Sequence, residues 1–232
     1  MRSGGGFNRI DILSGGAHDN RVGEIFDLAR RYGIPVKLKD RAALDKAAEG
    51  NHQGCIGYAT DFEYSSLDDI FAHCNNLNEP PFVVVLDGIE DPHNLGSILR
   101  TCECAGVHGV VIGKNRQVPV NDTVVKVAEG ATEYVKVVRV VNINDAVRKL
   151  KEQNVWVYAL DMDGKDIYKE NLSGAVALVV GAEGKGVSQL TRKLCDGVVS
   201  LPMRGKINSL NASVAAALGI YAKIQCDKNK TK

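Results

Sequence analysis

The stretch FVVVLDGIEDPHNLGSILRTCECAGVHGVVI, residues 82–112, decides the fold of this chain. It begins and ends with short runs rich in Val, Ile and Leu, and the residues from about Asn94 to Ala105 have the pattern of a helix. Nearly continuous apolar runs are typical of strands that are buried on both faces of a parallel sheet, and a helix is the usual connection between two such strands. We therefore predict a strand–helix–strand unit over these residues.

The same alternation of apolar runs and helical patterns continues towards the C-terminus. The later predicted strands are VKVVRVV, VWVYAL, AVALVV and GVVSL, and the later predicted helices are a segment near Asp122 to Glu129, INDAVRKLKEQ, VSQLTRKLC and NASVAAALGIYAKI. The predicted fold class is accordingly α/β, with a parallel sheet that carries helices on both faces over residues 82–226. Ligands bind such sheets beyond the carboxyl ends of the strands, which here include Gly181 and residues 201–204.

The N-terminal part, residues 8–76, is predicted to form a separate small α/β domain. The strands IDIL, IPVKL and HQGCIGYA alternate with the helical segments RVGEIFDLARRYG and SSLDDIFAHCNN, the second of which begins at Ser65 or Ser66. The polar stretch CNNLNEPP follows and ends in two prolines, which cannot continue a helix. We therefore place a linker at residues 77–81, and we expect a disordered tail at residues 227–232.

The charge of the chain is unevenly distributed. A net charge of +1 argues against a uniformly basic nucleic-acid-binding surface. Between Ala47 and Leu99, however, there are nine acidic residues and no Lys or Arg, whereas from Lys185 to the end there are nine basic residues and only two acids. This asymmetry indicates an anionic partner for the C-terminal part. A solvated lysine-rich tail explains the last lysines, but not Lys185, Arg204 and Lys206, which lie beside glycines.

Neither the cysteines nor the apolar runs indicate a secreted or membrane protein. The six cysteines are scattered, without a CxxC motif or a His–Cys cluster at zinc spacing, so we expect reduced thiols, a cytoplasmic protein and no bound metal. The longest apolar runs, such as Ala175–Val180, are far shorter than the ~20 residues that cross a bilayer.

The loop GAEGKG, residues 181–186, looks like a nucleotide-phosphate loop but fits neither template for one. Its order is G-x-x-G-x-G instead of G-x-G-x-x-G, and Val187 and Ser188 stand where a Walker loop needs Lys and Ser or Thr. The carboxylate of Glu183 would also repel a phosphate. A nucleotide triphosphate or dinucleotide enzyme is therefore disfavoured. Adenosine that carries a positively charged group would fit the loop, and turn glycines that bind no ligand are the alternative.

Two further stretches contain polar residues at the starts of predicted helices. Asn94 precedes Arg100 in NLGSILR, and Ser209 and Asn211 precede the alanine-rich helix in SLNASVAAALG. Each stretch has a purely structural interpretation, with Asn94 and either Ser209 or Asn211 as helix caps and Arg100 as a surface arginine. The small residues of the last helix would let another backbone approach closely, either within the core or at an interface between subunits.

Taken together, NLGSILRTCECAGV, VVGAEGKGV and SLPMRGKINSLNASVAAALGIY resemble the three ordered motifs of the SpoU/TrmH family of RNA ribose 2′-O-methyltransferases, over about residues 82–226. NHQG, residues 51–54, and the α/β segment before it resemble the N-terminal RNA-binding domain of the bacterial 23S rRNA guanosine 2′-O-methyltransferase branch. In that branch the domain begins with an additional helix and strand, so we expect a version shortened at its N-terminus here.

The resemblance implies a C-terminal trefoil knot, a homodimer and S-adenosylmethionine as the methyl donor. It also implies an RNA substrate, with a guanosine of 23S rRNA as the leading candidate. A tRNA methyltransferase and a non-catalytic RNA-binding or ribosome assembly factor on the same scaffold are the alternatives. The implied cofactor contacts are Gly181, Glu183, Leu201, Met203, Ser209, Leu210 and Asn211. The implied catalytic residues are Arg100, Asn94, Glu183, Ser209 and Asn211, and the implied RNA contacts are Lys185, Arg204 and Lys206.

The role of Arg100 in such a reaction has two interpretations. The resemblance implies that this arginine is central to catalysis, and a general base is one possibility. A guanidinium is a poor base because it keeps its proton in proteins. Arg100 would be needed equally if it held the phosphate next to the target ribose and polarised the attacking hydroxyl.

Overall fold

The computed structural model of the protein describes residues 7–15, 20–48, 50–59, 62–206 and 209–230. Packing contacts divide the chain into two compact units, and the division lies between Phe62 and Glu63. No helix in these ranges is both long and apolar enough to span a membrane.

The N-terminal unit is a three-stranded sheet with two helices. Its elements are β1 (Phe7–Leu13), α1 (Asn20–Arg31), β2 (Val36–Lys39), α2 (Arg41–Ala47) and β3 (Cys55–Ala59). The central strand β1 pairs in parallel with β2 and antiparallel with β3. Ile10 and Ile12 of β1 pack against Val22 and Ala29 of α1, because the alternation of β1 and the helical period of α1 place these apolar residues on facing surfaces. This unit therefore combines strands and helices around the central strand β1.

The C-terminal unit contains six strands and six helices, together with two short 3₁₀ turns, among the residues that the structure describes. Its strands are β4 (Phe82–Asp87), β5 (Gly109–Gly113), β6 (Lys136–Val140), β7 (Trp156–Asp166), β8 (Val176–Gly181) and β9 (Gly197–Ser200). Its helices are α3 (Leu67–Leu77), α4 (Pro92–Cys104), α5 (Asp122–Ala128), α6 (Ile143–Glu152), α7 (Gln189–Leu194) and α8 (Ala212–Lys230).

The six strands form one parallel sheet in the order β6-β5-β4-β8-β7-β9. Helices cover both of its faces, as the sequence predicts. Val83 and Val85 of β4 point to the face that carries α3, α6 and α7, where they join one core cluster. Burial on both sides explains why β4, β5 and β8 read as nearly continuous apolar runs.

Helix α3 belongs to the larger unit, so the division of the chain lies earlier than the expected linker at residues 77–81. The helix begins with a capping box between Ser66 and Asp69, and its buried Ile70 packs over Gly109 of β5, where a Cβ atom would overlap the Ile70 side chain. The backbone N–H of Ser65 also donates to the carbonyl of Val137 at 2.8 Å. The apolar face of α3 is thus buried on the large sheet.

The C-terminal residues also differ from expectation. Helix α8 continues through Lys230, so residues 227–230 are helical where a disordered tail was expected. Asp227 accepts a hydrogen bond from the backbone N–H of Gly174 at 3.3 Å and pairs with Lys223 one turn earlier, which holds this end of the helix to the unit. Residues 231 and 232 lie outside the described residues.

Candidate functional site

The point where the strand order reverses lies between β4 and β8. After β4 the chain continues to β5 and β6 on one side of the sheet, whereas β7 and β9 lie on the other side, next to β8. The loops that follow β4 and β8 meet here: a Cβ atom on Gly88 would lie 3.4 Å from Cβ of Ala182, and the carboxylate of Asp87 accepts from the N–H of Ser188 at 2.9 Å. Ligands of open α/β sheets bind at such a reversal, beyond the carboxyl ends of the strands.

Three predicted site residues from three distant parts of the sequence form one hydrogen-bonded cluster at this position. Oε1 of Glu183 accepts from Nδ2 of Asn94 at 3.1 Å and from Nδ2 of Asn211 at 2.6 Å. The same oxygen accepts from the backbone N–H of Ala212 at 3.2 Å. Nδ2 of Asn211 also donates to Oδ1 of Asn94 at 2.9 Å. The cluster therefore joins the starts of α4 and α8 to the loop after β8.

The helix starts explain how the two asparagines reach Glu183. Asn94 is not the cap of α4, because Asp91 occupies that position and accepts from the N–H of His93 at 2.9 Å. The buried side chain of Asn94 is thus free to contact the cluster. Asn211 both caps α8 and contacts the cluster. Its Oδ1 accepts from the N–H groups of Ser213 at 3.0 Å and Val214 at 3.3 Å, while its Nδ2 donates to Glu183. The interpretation of Asn94 as a cap alone is wrong.

The glycines of the loop after β8 allow close backbone packing at one position and a left-handed backbone at two others. The loop turns back on itself, with the N–H of Gly186 donating to the carbonyl of Ala182 at 2.9 Å. A Cβ atom on Gly181 would overlap the backbone of Gly186 and Val187, so any side chain there would push the loop away. Gly184 and Gly186 have φ values of +75° and +64°, in the left-handed region that favours glycine.

An open cavity lies against this loop. It contains about 810 Å³ of empty space, part of it open to solvent. Its walls include six of the seven residues that we expected to contact the cofactor: Gly181, Glu183, Leu201, Met203, Ser209 and Leu210. The seventh, Asn211, adjoins the cavity through its hydrogen bond to Glu183.

The sequence analysis missed the residues that follow the first part of β7. Leu160, Asp161 and Met162 also line the cavity. One sequence feature could have indicated them: the apolar run VWVYAL ends at Leu160, and an acidic residue follows directly. That signal could not be used, because the sequence does not reveal that β7 lies beside β8.

The predicted basic residues lie in three different places. Arg100 is 54% exposed and pairs with Glu129 at the end of α5, with Nη1 and Oε1 2.9 Å apart. The structure does not bring it into the Glu183 cluster, and it is not among the described residues that line the cavity. Lys185 lies on the cavity wall. Arg204 and Lys206 are exposed on the segment that follows β9.

The buried cysteines offer no nucleophile to this site. Burial raises the pKa of the Cys74 thiol to about 11 and that of Cys195 to about 12, and complete burial raises the pKa of Cys102 as well. These thiols therefore stay protonated at neutral pH. Within the described ranges, moreover, no group of three or more His, Cys, Asp or Glu side chains could hold a metal ion.

The chain matches two protein-family models that together cover most of its length. Residues 81–221 match the SpoU rRNA Methylase family, and residues 2–65 match a domain described as RNA 2′-O ribose methyltransferase substrate binding. The second match ends close to the division between the two units of the structure.

Similar proteins are found among bacterial RNA methyltransferases. The chain is 42% identical over 200 residues to YacO of Bacillus subtilis, named for the TrmH family of tRNA/rRNA methyltransferases, with 85% of this chain and 80% of YacO covered. It is 40% identical over 215 residues to the 23S rRNA (guanosine-2′-O-)-methyltransferase RlmB of Vibrio cholerae, with 90% and 85% covered.

Solved structures of such enzymes share the fold. The SpoU methyltransferase AviRb from Streptomyces viridochromogenes, solved with AdoMet, has a TM-score of 0.82 at 20% identity, with 100% of this chain and 86% of that chain covered. The AdoMet-bound rRNA methyltransferase from Sinorhizobium meliloti has a TM-score of 0.78 at 22% identity, with 97% and 82% covered.

Proposed function

The chain belongs to the SpoU family of RNA methylases, and from this membership we propose that it transfers a methyl group from S-adenosylmethionine to a ribose 2′-hydroxyl of RNA. The observation that carries the proposal is the cluster of Asn94, Glu183 and Asn211. It joins all three motifs of the chain at the wall of an open cavity, at the reversal of the strand order.

The cavity suits S-adenosylmethionine better than a phosphate-bearing nucleotide. S-adenosylmethionine carries no phosphate and has a cationic sulfonium centre, and two carboxylates, those of Asp161 and Glu183, lie on the cavity wall against one Lys. The backbone of Gly186 and Val187 packs against Gly181, so the loop folds tightly beside the cavity. We assign the binding of the adenosine and methionine parts to the cavity walls formed by the loop after β8 and the segment after β9. The bound cofactor supplies a methyl group that is already activated.

The protein therefore has to position the acceptor ribose and help to remove its proton. Asn94 and Asn211 hold the Glu183 carboxylate at the cavity wall, where its negative charge faces the cationic donor. Arg100 is half-exposed, and guanidinium groups are cations that bind phosphates well, so we assign it to the phosphate beside the target ribose. There it exchanges its contact with Glu129 for the phosphate and polarises the hydroxyl.

We extend the proposal to a trefoil knot in the C-terminal part of the chain. Supporting it, Leu201, Met203, Ser209 and Leu210 line the same cavity as residues 181–186, so the segment after β9 passes close to the loop after β8. The N–H of Ala212, at the start of α8, also donates to the Glu183 side chain of that loop.

We propose a guanosine of 23S rRNA as the substrate, and thus a cytoplasmic reaction, because relatives such as RlmB of Vibrio cholerae are named for that activity. The TrmH name of YacO makes tRNA the second candidate. Radiolabelled methyl transfer to unmodified 23S rRNA and tRNA transcripts tests the choice. Incorporation into 23S rRNA is expected, incorporation into tRNA alone would favour the second candidate, and incorporation into neither would indicate a binding or assembly factor.

We also propose a homodimer that uses an exposed face of α8. The small residues Ala216 and Gly219 pack inwards, where a Cβ on Gly219 would lie 3.3 Å from Leu160, so they belong to the core of the unit. The opposite face exposes Val214, Leu218 and Tyr221, at the spacing of one helix face.

Leu218→Asp is therefore expected to convert the protein from a dimer to a monomer, because it would place an unpaired charge in an apolar interface. Analytical ultracentrifugation measures the change. Leu190→Asp on α7 is the matched control, since Leu190 is also exposed, and it should leave the dimer intact. Dimeric Leu218→Asp protein, or wild-type protein that is already monomeric, would contradict the proposed interface.

We propose that Arg204 and Lys206 bind RNA phosphates. In the double variant Arg204→Ala/Lys206→Ala, RNA binding should weaken, and the slope of log affinity against log salt should fall by about 1.4–1.8, the loss of two phosphate contacts. Affinity for S-adenosylmethionine should not change, because neither residue is among the described residues of the cavity wall. A Lys149→Ala/Lys169→Ala variant, which removes two other exposed lysines, is the control. An unchanged salt slope would refute the two contacts.

A further inference from the structure

Asp161 is a carboxylate on the cavity wall to which the proposed mechanism assigns no contact with the cofactor. It follows Leu160, where the pairing of β7 with β9 becomes irregular until Lys165. Strand β7 is the second strand from β4 in the sheet. At about 4.8 Å per strand, Asp161 lies roughly 10 Å from the strand that leads to Asn94. It therefore faces a different part of a bound ligand.

The two oxygens of Asp161 differ in their surroundings. Oδ1 accepts a hydrogen bond from the N–H of Met162 at 2.8 Å. Oδ2 lies 3.8 Å from Nη1 of Arg192, too far for a hydrogen bond, and within the described part of the chain it accepts none. The side chain is only 14% exposed. A largely buried carboxylate on a cavity wall thus retains unused hydrogen-bonding capacity.

Two neighbours, Arg192 and Gly186, shape the space around the Asp161 carboxylate. Arg192 lies beside it, and the guanidinium binds the more exposed Asp163 at 2.7 Å, which lowers the pKa of Asp163. On the other side, a Cβ atom on Gly186 would lie 3.1 Å from Oδ2 of Asp161, so a side chain at this glycine would crowd the carboxylate.

We propose that Asp161 binds the cofactor by accepting hydrogen bonds from the two ribose hydroxyls of its adenosine. The inference rests on the proposed function. An ionised carboxylate only accepts hydrogen bonds, and a ribose diol offers two donors at adjacent positions. An acidic residue also binds the ribose hydroxyl in dinucleotide-binding α/β folds. Because Asp161 lies away from Asn94, the sulfonium end is left to Glu183.

Asp161→Asn tests this assignment through equilibrium binding measured by calorimetry, without a catalytic readout. Three ligands are compared: S-adenosylmethionine, S-adenosylhomocysteine, which lacks the sulfonium charge, and 5′-methylthioadenosine, which lacks the amino acid. The ribose is common to all three, so each should bind about 10- to 100-fold more weakly, the effect of losing hydrogen bonds to a charged group. Asp163→Asn is the matched control. Asp163 also pairs with Arg192, but it is 67% exposed and is not among the described residues of the cavity wall. The Asp163→Asn protein should therefore bind all three ligands as tightly as the wild type.

A second measurement uses the wild-type protein and does not depend on the folding of a variant. The 2′-deoxy and 3′-deoxy analogues of 5′-methylthioadenosine should each bind about tenfold more weakly than the parent compound. In Asp161→Asn protein, removal of either hydroxyl should change the affinity little. This non-additivity is expected if the Asp161 carboxylate contacts the ribose hydroxyls.

The outcomes separate the inference from the proposed function. A loss confined to S-adenosylmethionine and S-adenosylhomocysteine would assign Asp161 to the ammonium group and overturn the ribose contact. Unchanged affinities in Asp161→Asn, or a wild type indifferent to the deoxy analogues, would overturn it as well. Wild-type protein that binds none of the three ligands would instead contradict the proposed function.

Discussion

Glu183→Ala is expected to lower the rate of methyl transfer to RNA by roughly 10²–10³-fold, the usual effect of removing one preorganised polar group from an active site. In the native protein, Oε1 of Glu183 accepts hydrogen bonds from Asn94, Asn211 and the N–H of Ala212. Alanine leaves these donors without that acceptor. The starts of α4 and α8 then lose their hydrogen bonds to the loop after β8, and the cavity wall loses a carboxylate.

Glu183→Gln separates the geometry of this cluster from its charge. The amide oxygen of glutamine can still accept from the same donors, so the unfolding temperature should stay close to that of the wild type. Hydrogen bonds to an ionised acceptor are about twice as strong as those to a neutral one, and the negative charge beside a cationic donor is lost. We therefore expect affinity for S-adenosylmethionine to fall roughly tenfold.

Glu170→Ala is the matched control for both variants. Glu170 is a partly buried carboxylate that pairs with Lys165 at 3.5 Å, and it is not among the described residues that line the cavity. Its removal should leave methyl transfer and cofactor binding unchanged. If Glu183→Ala retained the activity of Glu170→Ala, Glu183 would have no role in the reaction.

Arg100→Ala is expected to lower methyl transfer by roughly 10²–10⁴-fold, the range for a group that assists proton transfer or stabilises charge at the reacting centre. The expected cause is the loss of the cation that holds the phosphate and polarises the 2′-hydroxyl. Affinity for S-adenosylmethionine, measured by calorimetry, should stay near the wild-type value, because Arg100 lies outside the cavity wall as described. This split between turnover and cofactor affinity is not expected from a general loss of stability.

Arg148→Ala is a close control for Arg100→Ala. Arg148 is 49% exposed and pairs with Asp145 at 2.6 Å, so it resembles Arg100, which is 54% exposed and pairs with Glu129 at 2.9 Å. Glu129→Gln gives a second comparison. It should keep full activity, because we expect the pair with Arg100 to break when RNA binds. If Arg100→Ala protein kept most of the wild-type turnover, Arg100 would have no role in the mechanism.

Much of the fold could be predicted because the spacing of apolar residues indicates which faces of a strand or helix are buried. The run FVVVLD was predicted as a strand and forms β4, Phe82–Asp87, with both of its faces covered. The start of α3 was predicted from its serines, and Ser66 does form a capping box with Asp69. Local patterns of this kind depend on neighbouring residues alone, so a single sequence is enough to read them.

The partner of a buried face could not be predicted in the same way. The apolar side of α3 indicates that the helix is buried, but its hydrophobic pattern is equally compatible with a small sheet and a large one. Tertiary contacts such as the fit of Ile70 over Gly109 place it on the larger unit. The order of the strands is hidden for the same reason, and with it the position of Asp161 on the cavity wall.

The site residues that belong to sequence motifs could be predicted. Those whose position depends on tertiary contacts could not. The resemblance to the family pointed to Asn94, Glu183 and Asn211 together, and the structure joins them. The position of Arg100 depends instead on its pair with Glu129, 29 positions further along the chain, which no local pattern indicates.

The chemical position of the transferred methyl group tests the central claim most directly. Unmodified 23S rRNA and, in a separate reaction, unmodified tRNA are incubated with the protein and S-adenosylmethionine, digested to nucleosides and examined by mass spectrometry against authentic methylated standards. We predict 2′-O-methylguanosine, with the modified linkage resistant to alkaline cleavage. A methyl group on a base, or no methylated nucleoside in either rRNA or tRNA, would contradict the proposal that this chain is an RNA ribose 2′-O-methyltransferase.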